Sequence, residues 1–238
     1  MSLAVAAWLA LTAAPACDRS CEGLVVWLDD PGQAALGAEL AARACARLAE
    51  LEVHFPGVRS RGEIRLRVTA DMASYRALAG RAWFIAAVLR GEEIVTQPGR
   101  ALERVADLDQ LLAHELTHLL LRRSAGPGLP RWLDEGLAQW LAGERVRGRP
   151  PEDEAALRAL EARLRAPDPP GEAARREDYR AAVALVGRLV DQVGLEALLG
   201  ALPALRRGGR DPLELPVAGR SLRERLFDRP VDGLVDGD

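Results

Sequence analysis

Lysine and asparagine are both absent from the 238 residues, so all 32 basic side chains are arginine. We read that skew as the codon usage of a GC-rich genome, not as a function. Basic excess is missing too. A formal net charge of −3 gives no global pull towards nucleic acid or anionic lipid. There are no internal repeats and no glycine-rich phosphate loop. Histidine and cysteine are scarce, three of each. What remains is 49% hydrophobic and 28% charged, the balance of a globular chain long enough to bury a good core. Its length suits one domain, or one with a small appendage.

Residues 3–16, LAVAAWLALTAAPA, form an apolar run too short to cross a bilayer comfortably. Ala14-Pro15-Ala16 has the small-x-small form of a cleavage site, so residues 1–16 read as a secretory signal peptide. A basic start is lacking, and the other reading of the run is a buried N-terminal helix. Cys17, directly after it, stands where a lipoprotein would be acylated, although Ala14 replaces the usual leucine. The expected location is therefore outside the cytoplasm of a bacterium: periplasmic, secreted or lipid-anchored. An exported chain can form disulfides. With Cys17 lipidated, Cys21 and Cys45 could pair; otherwise Cys17 or Cys21 is left free. Cys45 could also be no more than a small buried side chain in the helix LAARACARLAEL.

Two of the three histidines fall in one stretch, residues 107–121, DLDQLLAHELTHLLL. On a helix, His114 and His118 lie about 40° apart around the axis and one turn apart along it. Both imidazoles can reach one metal ion. Glu115 is rotated from His114 by about 100°, beside such an ion without ligating it, where a general base for a bound water belongs. Leu111, Leu112, Leu116, Leu119, Leu120 and Leu121 make this helix apolar nearly all round, hence buried. Polar groups buried there need partners, and a metal ion is one. The pentapeptide by itself is weak evidence, because the pattern arises by chance in many helices.

A second helix strengthens it. Residues 130–143 read PRWLDEGLAQWLAG, opened by Pro130. The intervening RRSAGPGLP holds two glycines and two prolines and turns the chain back. An antiparallel return brings Glu135 towards the histidines. Two histidines, one glutamate and an open fourth position form the ligand set of a catalytic zinc site. Non-haem iron also uses two histidines and a carboxylate, but it has no use for a base placed between the histidines. Zinc is the expected ion.

HELTH followed by WLDEGLAQWLAG resembles the gluzincin metallopeptidases, specifically the compact bacterial peptidase MA-like group. It is more distantly similar to the aminopeptidase-N family and thermolysin. The resemblance covers roughly residues 60–205 and rests on Trp132, Glu135, Gly136 and Ala138 in the second helix. It implies Glu135 as third ligand and Asp134 as its supporting neighbour. The stretch YRAAVALVGRLVDQVG, 179–194, resembles a further helix of these enzymes, and this implies that Tyr179 donates its hydroxyl to the oxyanion. Val183 departs from the pattern by replacing an aromatic. The related aminopeptidases hold the substrate amine with a G-x-M-E-N strand. A chain without asparagine lacks that motif, which favours an endopeptidase. Glu92 or Glu93 could hold an amine, but nothing demands it.

The remaining segments frame the site. Residues 23–28 and 63–69 read as strands, 33–51 and 71–78 as helices, and 82–88 with 93–96 as a hairpin. Glu93–Thr96 is either an edge strand that pairs with substrate backbone or an interior strand of the sheet. His54, at the end of the first long helix, is an extra metal ligand or, on the preferred reading, a helix-terminal histidine favoured by the dipole. Residues 152–165 form a charged amphipathic helix, 166–171 a proline-rich linker, 195–205 a helix, and 211–229 a last helix. The expected fold is α+β and zincin-like: a sheet part over 17–100, a helical part over 101–230 with the metal in the cleft between, and an acidic tail, 231–238. The expected function is a zinc-dependent endopeptidase of the cell envelope acting on peptides or proteins. Its expected contacts include no nucleic acid, and the membrane only through Cys17. The rival readings are a zincin-fold binding protein without activity and a zinc hydrolase of non-peptide substrates.

Overall fold

A computed structural model describes residues 23–58, 62–80, 85–144, 148–166, 171–207 and 211–228. The expected signal peptide, Cys17, Cys21 and the acidic tail lie outside these ranges. The described chain is mixed α and β, mostly helical, with a small mixed sheet. It divides into two compact units. One takes residues up to Ala49 together with Gly62–Ala106; the other takes Glu50–Arg61 and everything from Asp107 onward.

The first unit is built on a four-stranded sheet in the order β1-β2-β4-β3. Strands β1 (Leu24–Leu28), β2 (Ile64–Val68) and β4 (Glu93–Thr96) run parallel. Strand β3 (Ala87–Arg90) joins β4 antiparallel through the Gly91 turn. In β2 the apolar residues Ile64, Leu66 and Val68 are buried and alternate with Arg65 and Arg67, as a period of two requires. The long helix α1 (Ala34–Glu52) buries Leu40, Ala44, Leu48 and Leu51. Cys45 on it is disulfide-bonded. Helix α2 (Met72–Ala79) is capped by Asp71, which accepts from Ser74 N at 2.8 Å, and ends at Gly80 with φ 63°. Tyr75, fully buried, donates its hydroxyl to the Ile85 carbonyl.

Of the two roles open to Glu93–Thr96, the sheet order settles one. Strand β4 has β2 on one side and β3 on the other, so its backbone has no free edge for a substrate strand. Among the described residues the outer strands are β1 and β3. A short helix, α3 (Gly99–Leu102), closes the unit.

The second unit is helical: α4 (Leu108–Ala125), α5 (Arg131–Leu141), α6 (Glu154–Arg165), α7 (Glu172–Val193), α8 (Leu195–Ala201) and α9 (Leu222–Phe227). Helix α4 starts at Asp107, whose side chain accepts from Gln110 N at 2.9 Å. It runs one turn further than its sequence signals suggest, to Ala125. Its burial is nearly all round. Pro130 opens α5 but offers no side-chain cap. The cap comes from α6 instead: Glu161 accepts from Arg131 N at 2.9 Å and from Trp132 N at 3.0 Å. Two of the orphan amides of α5 are thereby satisfied by a carboxylate placed where the helix dipole favours it.

The last segment departs from the expected single helix over 211–229. Residues 212–214 form one tight turn, Pro216–Val217 and Arg220–Ser221 form a two-residue hairpin, and only then does α9 begin. The physical reason is local. Pro216 cannot donate within a helix, Ala218 and Gly219 turn with positive φ, and Ser221 with Glu224 forms a capping box that starts a new helix.

Gly136 lies in the middle of α5, where glycine costs helix stability. Packing explains it. A Cβ there would stand 2.6 Å from the Ala182 carbonyl oxygen and 2.6 Å from Val186 Cγ2, both on α7. The two helices meet at a contact only glycine permits. We therefore expect Gly136→Ala to lower the unfolding free energy by about 1–3 kcal/mol, the usual cost of overpacking. Denaturant unfolding of the variant checks this; an unchanged midpoint would mean the contact is looser than described.

Candidate metal centre

Helix α4 presents His114 and His118 one turn apart, and α5 presents Asp134 and Glu135. The ring nitrogens His114 Nε2 and His118 Nε2 are 3.1 Å apart. Each lies 3.6 Å from Glu135 Oε2. The point equidistant from these three atoms is about 2.0 Å from each, the length of a zinc–nitrogen or zinc–carboxylate bond. The three residues are close enough to hold one metal ion. They form the one such group of three or more among the described residues, and His54 is not in it.

The donor atoms face the right way. Asp134 Oδ1 lies 2.7 Å from His118 Nδ1 and accepts its N–H, the arrangement that offers Nε2 to a ligand. His114 is held less firmly. Its Nδ1 is buried without a hydrogen-bond partner, and Glu144 Oε1 stands 3.6 Å away. Arg131, in the first turn of α5, reaches both acids: Nη1 to Asp134 Oδ2 at 2.6 Å and Nη2 to Glu135 Oε1 at 2.5 Å.

Electrostatics follow from this pairing. Burial would raise the Glu135 carboxyl, but Arg131 and the two imidazoles hold it well below the usual range. Asp134 is held down against burial by His118 and Arg131. Burial opposes a charge on His114, yet Glu135 and then Glu144 outweigh it and push its pKa up to about 9. His118 is raised likewise, against burial, by Asp134. Both rings cannot donate across a 3.1 Å gap, so at most one of the two carries a proton on Nε2.

Glu115 differs from the other acids. It is buried, 5% exposed, and its carboxylate makes no hydrogen bond or ion pair to any described residue. Burial raises its pKa, with the histidines acting against that rise. A carboxylate raised towards neutrality beside a metal-ligand group is suited to accept and return a proton. Tyr179 is the eighth residue of α7, not its first. Its hydroxyl pKa is raised by burial and then by the negative charge of Glu135, with a smaller push from Glu115, so the phenol shares their field. The Arg175 guanidinium lies over its ring, 5.7 Å from the centroid.

All six expected site residues, His114, Glu115, His118, Asp134, Glu135 and Tyr179, thus belong to the helical unit and to one electrostatic group. Glu92 and Glu93 belong to the other unit, in the β3–β4 turn and β4. Arg131, Glu144 and Glu161 join these residues without being part of the motifs. Arg131 stands three and four residues before the acids it pairs with, a helical spacing that the sequence displays. Glu144 and Glu161 carry no such signal. Searches against protein-family models and against curated proteins find no match to this chain.

Two outcomes are expected. Glu135→Ala removes an anionic ligand and should weaken zinc binding sharply, whereas Asp134→Ala should cost about 10–100-fold. Zinc titration of each metal-free variant tests the order. A reversal would mean that Glu135 is not the third ligand. Zinc must also compete with the proton that the raised pKa keeps on His114. Below about pH 9 binding therefore releases a proton, and affinity should climb as pH rises towards that value. Calorimetry in buffers of different ionisation enthalpy reads the release directly; no release would contradict the raised pKa.

Proposed function

We propose that this chain is a zinc metallopeptidase with a zincin-like fold, of the gluzincin kind. The observation that carries the reading is Glu115: a buried residue whose pKa burial raises, next in sequence to His114 of a three-donor group close enough to hold one metal ion. A structural metal site has no need of such a base. Zinc held by His114, His118 and Glu135 would supply a water of near-neutral pKa and a Lewis acid for the substrate carbonyl.

The chain's own residues divide the rest of the work. Glu115 takes the proton of the attacking water and delivers it to the leaving amine. Burial favours the first transfer, because a carboxylate with a raised pKa is a stronger base than one held far below neutrality. Tyr179 donates to the oxyanion that develops on the carbonyl. Its raised pKa keeps the phenol protonated, and hence a donor, throughout the neutral range. Asp134 keeps His118 in the tautomer that offers Nε2. Peptides or proteins of the cell envelope are the proposed substrates, cleaved internally. Among the described residues no helix is long and apolar enough to cross a membrane.

The test joins metal analysis of the purified protein to cleavage of a randomised peptide library, with a chelator control. Glu115→Gln should keep zinc and lose hydrolysis; normal cleavage by that variant overturns the assignment of the base. Tyr179→Phe should lower turnover by about 10²–10³ at unchanged zinc content. An unaltered rate removes Tyr179 from the chemistry. A zinc-loaded protein that cleaves no peptide points instead to a non-peptide hydrolase or a binding protein.

A further inference from the structure

The two carboxylates that follow Trp132 and Leu133 are each asked for two things. Glu135 turns Oε2 towards the histidines, 3.6 Å from each Nε2, and gives Oε1 to Arg131 at 2.5 Å. Asp134 gives Oδ1 to His118 Nδ1 at 2.7 Å and Oδ2 to Arg131 at 2.6 Å. One guanidinium therefore takes the outer oxygen of both acids, using a different nitrogen for each. Its main chain is fixed as well, since Arg131 N donates to Glu161 Oε1 at 2.9 Å.

We propose that Arg131 is a positioning residue that restricts Glu135 to a single ligating oxygen and, through Asp134, orients His118. The inference rests on the metal-site reading above and adds a determinant to it. A free carboxylate beside a zinc ion can ligate through one oxygen or two. With Oε1 committed to a guanidinium nitrogen, Oε2 alone is left for the metal, and a coordination position stays open for water. The geometry calls for arginine in particular. Its planar fork presents two nitrogens in fixed directions, which suits two adjacent carboxylates; a lysine ammonium is a single point charge on a flexible stem. The same bridge balances charge. Asp134 and Glu135 are both held ionised, and Arg131 is the cation that faces them along α5.

The test is cobalt(II) substitution read by visible absorption, together with competitive zinc titration, on the full chain and on Arg131→Ala and Arg131→Lys. Cobalt absorption weakens as coordination number rises, so it reports how many oxygens Glu135 supplies, which activity does not. In both variants the freed Oε1 should ligate and the absorption should fall severalfold. Zinc affinity should drop by about 10–100-fold in Arg131→Ala, the usual cost of losing an outer partner. The drop should be smaller in Arg131→Lys, which keeps the charge but not the fork. Wild-type absorption in Arg131→Lys overturns the inference, because charge alone would then suffice. So does wild-type absorption with wild-type affinity in Arg131→Ala. Should Arg131→Ala not fold, the lysine variant carries the test unaided. A wild-type protein that takes up neither metal overturns the metal-site reading itself, a separate result from unchanged spectra in variants that do load.

Discussion

Everything in the helical unit turns on the cost of bringing ionisable groups into a leucine-lined interior. His118, Glu115 and Glu135 are all buried, on helices that also bury Leu112, Leu116, Leu119 and Leu133. An isolated charge there would be untenable, so each must find a partner or lose its charge. Glu135 solves this with two imidazoles and a guanidinium. His118 solves it with Asp134. Glu115 makes no hydrogen bond or ion pair among the described residues, and burial pushes its pKa up. The contrast between two buried glutamates on facing helices is thus a difference of neighbours, which lowers the pKa of one and leaves the other raised.

The same accounting explains why α5 is placed with such care. It carries three of the charged residues within its first five positions and begins with a proline that has no capping side chain. Its start is secured from outside by Glu161 of α6, and its middle by the close approach to α7 at Gly136. These two attachments come from segments that lie well along the chain from the helix they hold. They leave α5 little freedom to slide or rotate, and so place Asp134 and Glu135 against α4.

Much of this site can be read from residue spacing. The four-residue step from His114 to His118 puts both rings on one helix face, and an intervening turn rich in glycine and proline forces the return that brings in Glu135. The alternation in β2 and the stripe in α1 are equally local. Other features depend on distance in space. The interior position of β4 follows from β3 folding back beside it, and nothing in EIVT distinguishes an edge strand from a central one. The last segment, 211–228, is short and mixed, so a helical pattern over it competes with two prolines and a glycine that break it. Glu161 looks like one more surface acid on an amphipathic helix until α5 is laid against it. Gly136 has the opposite history. Its presence in a helix interior is visible at once, but its reason appears only with Ala182 and Val186 alongside.

That glycine has a further consequence. Tyr179 lies three residues before Ala182 and seven before Val186, on the same side of α7 and about one and two turns away. Glu135 is the residue next to Gly136. The tight contact of the two helices at Gly136 is therefore also a datum from which the phenol and the carboxylate are both measured. A missing methyl group serves as a gauge block: it sets how far apart two chemical groups sit, although it touches neither. Variation elsewhere along α7 can alter its surface or its ends and leave that spacing intact, whereas any side chain at 136 would reset it.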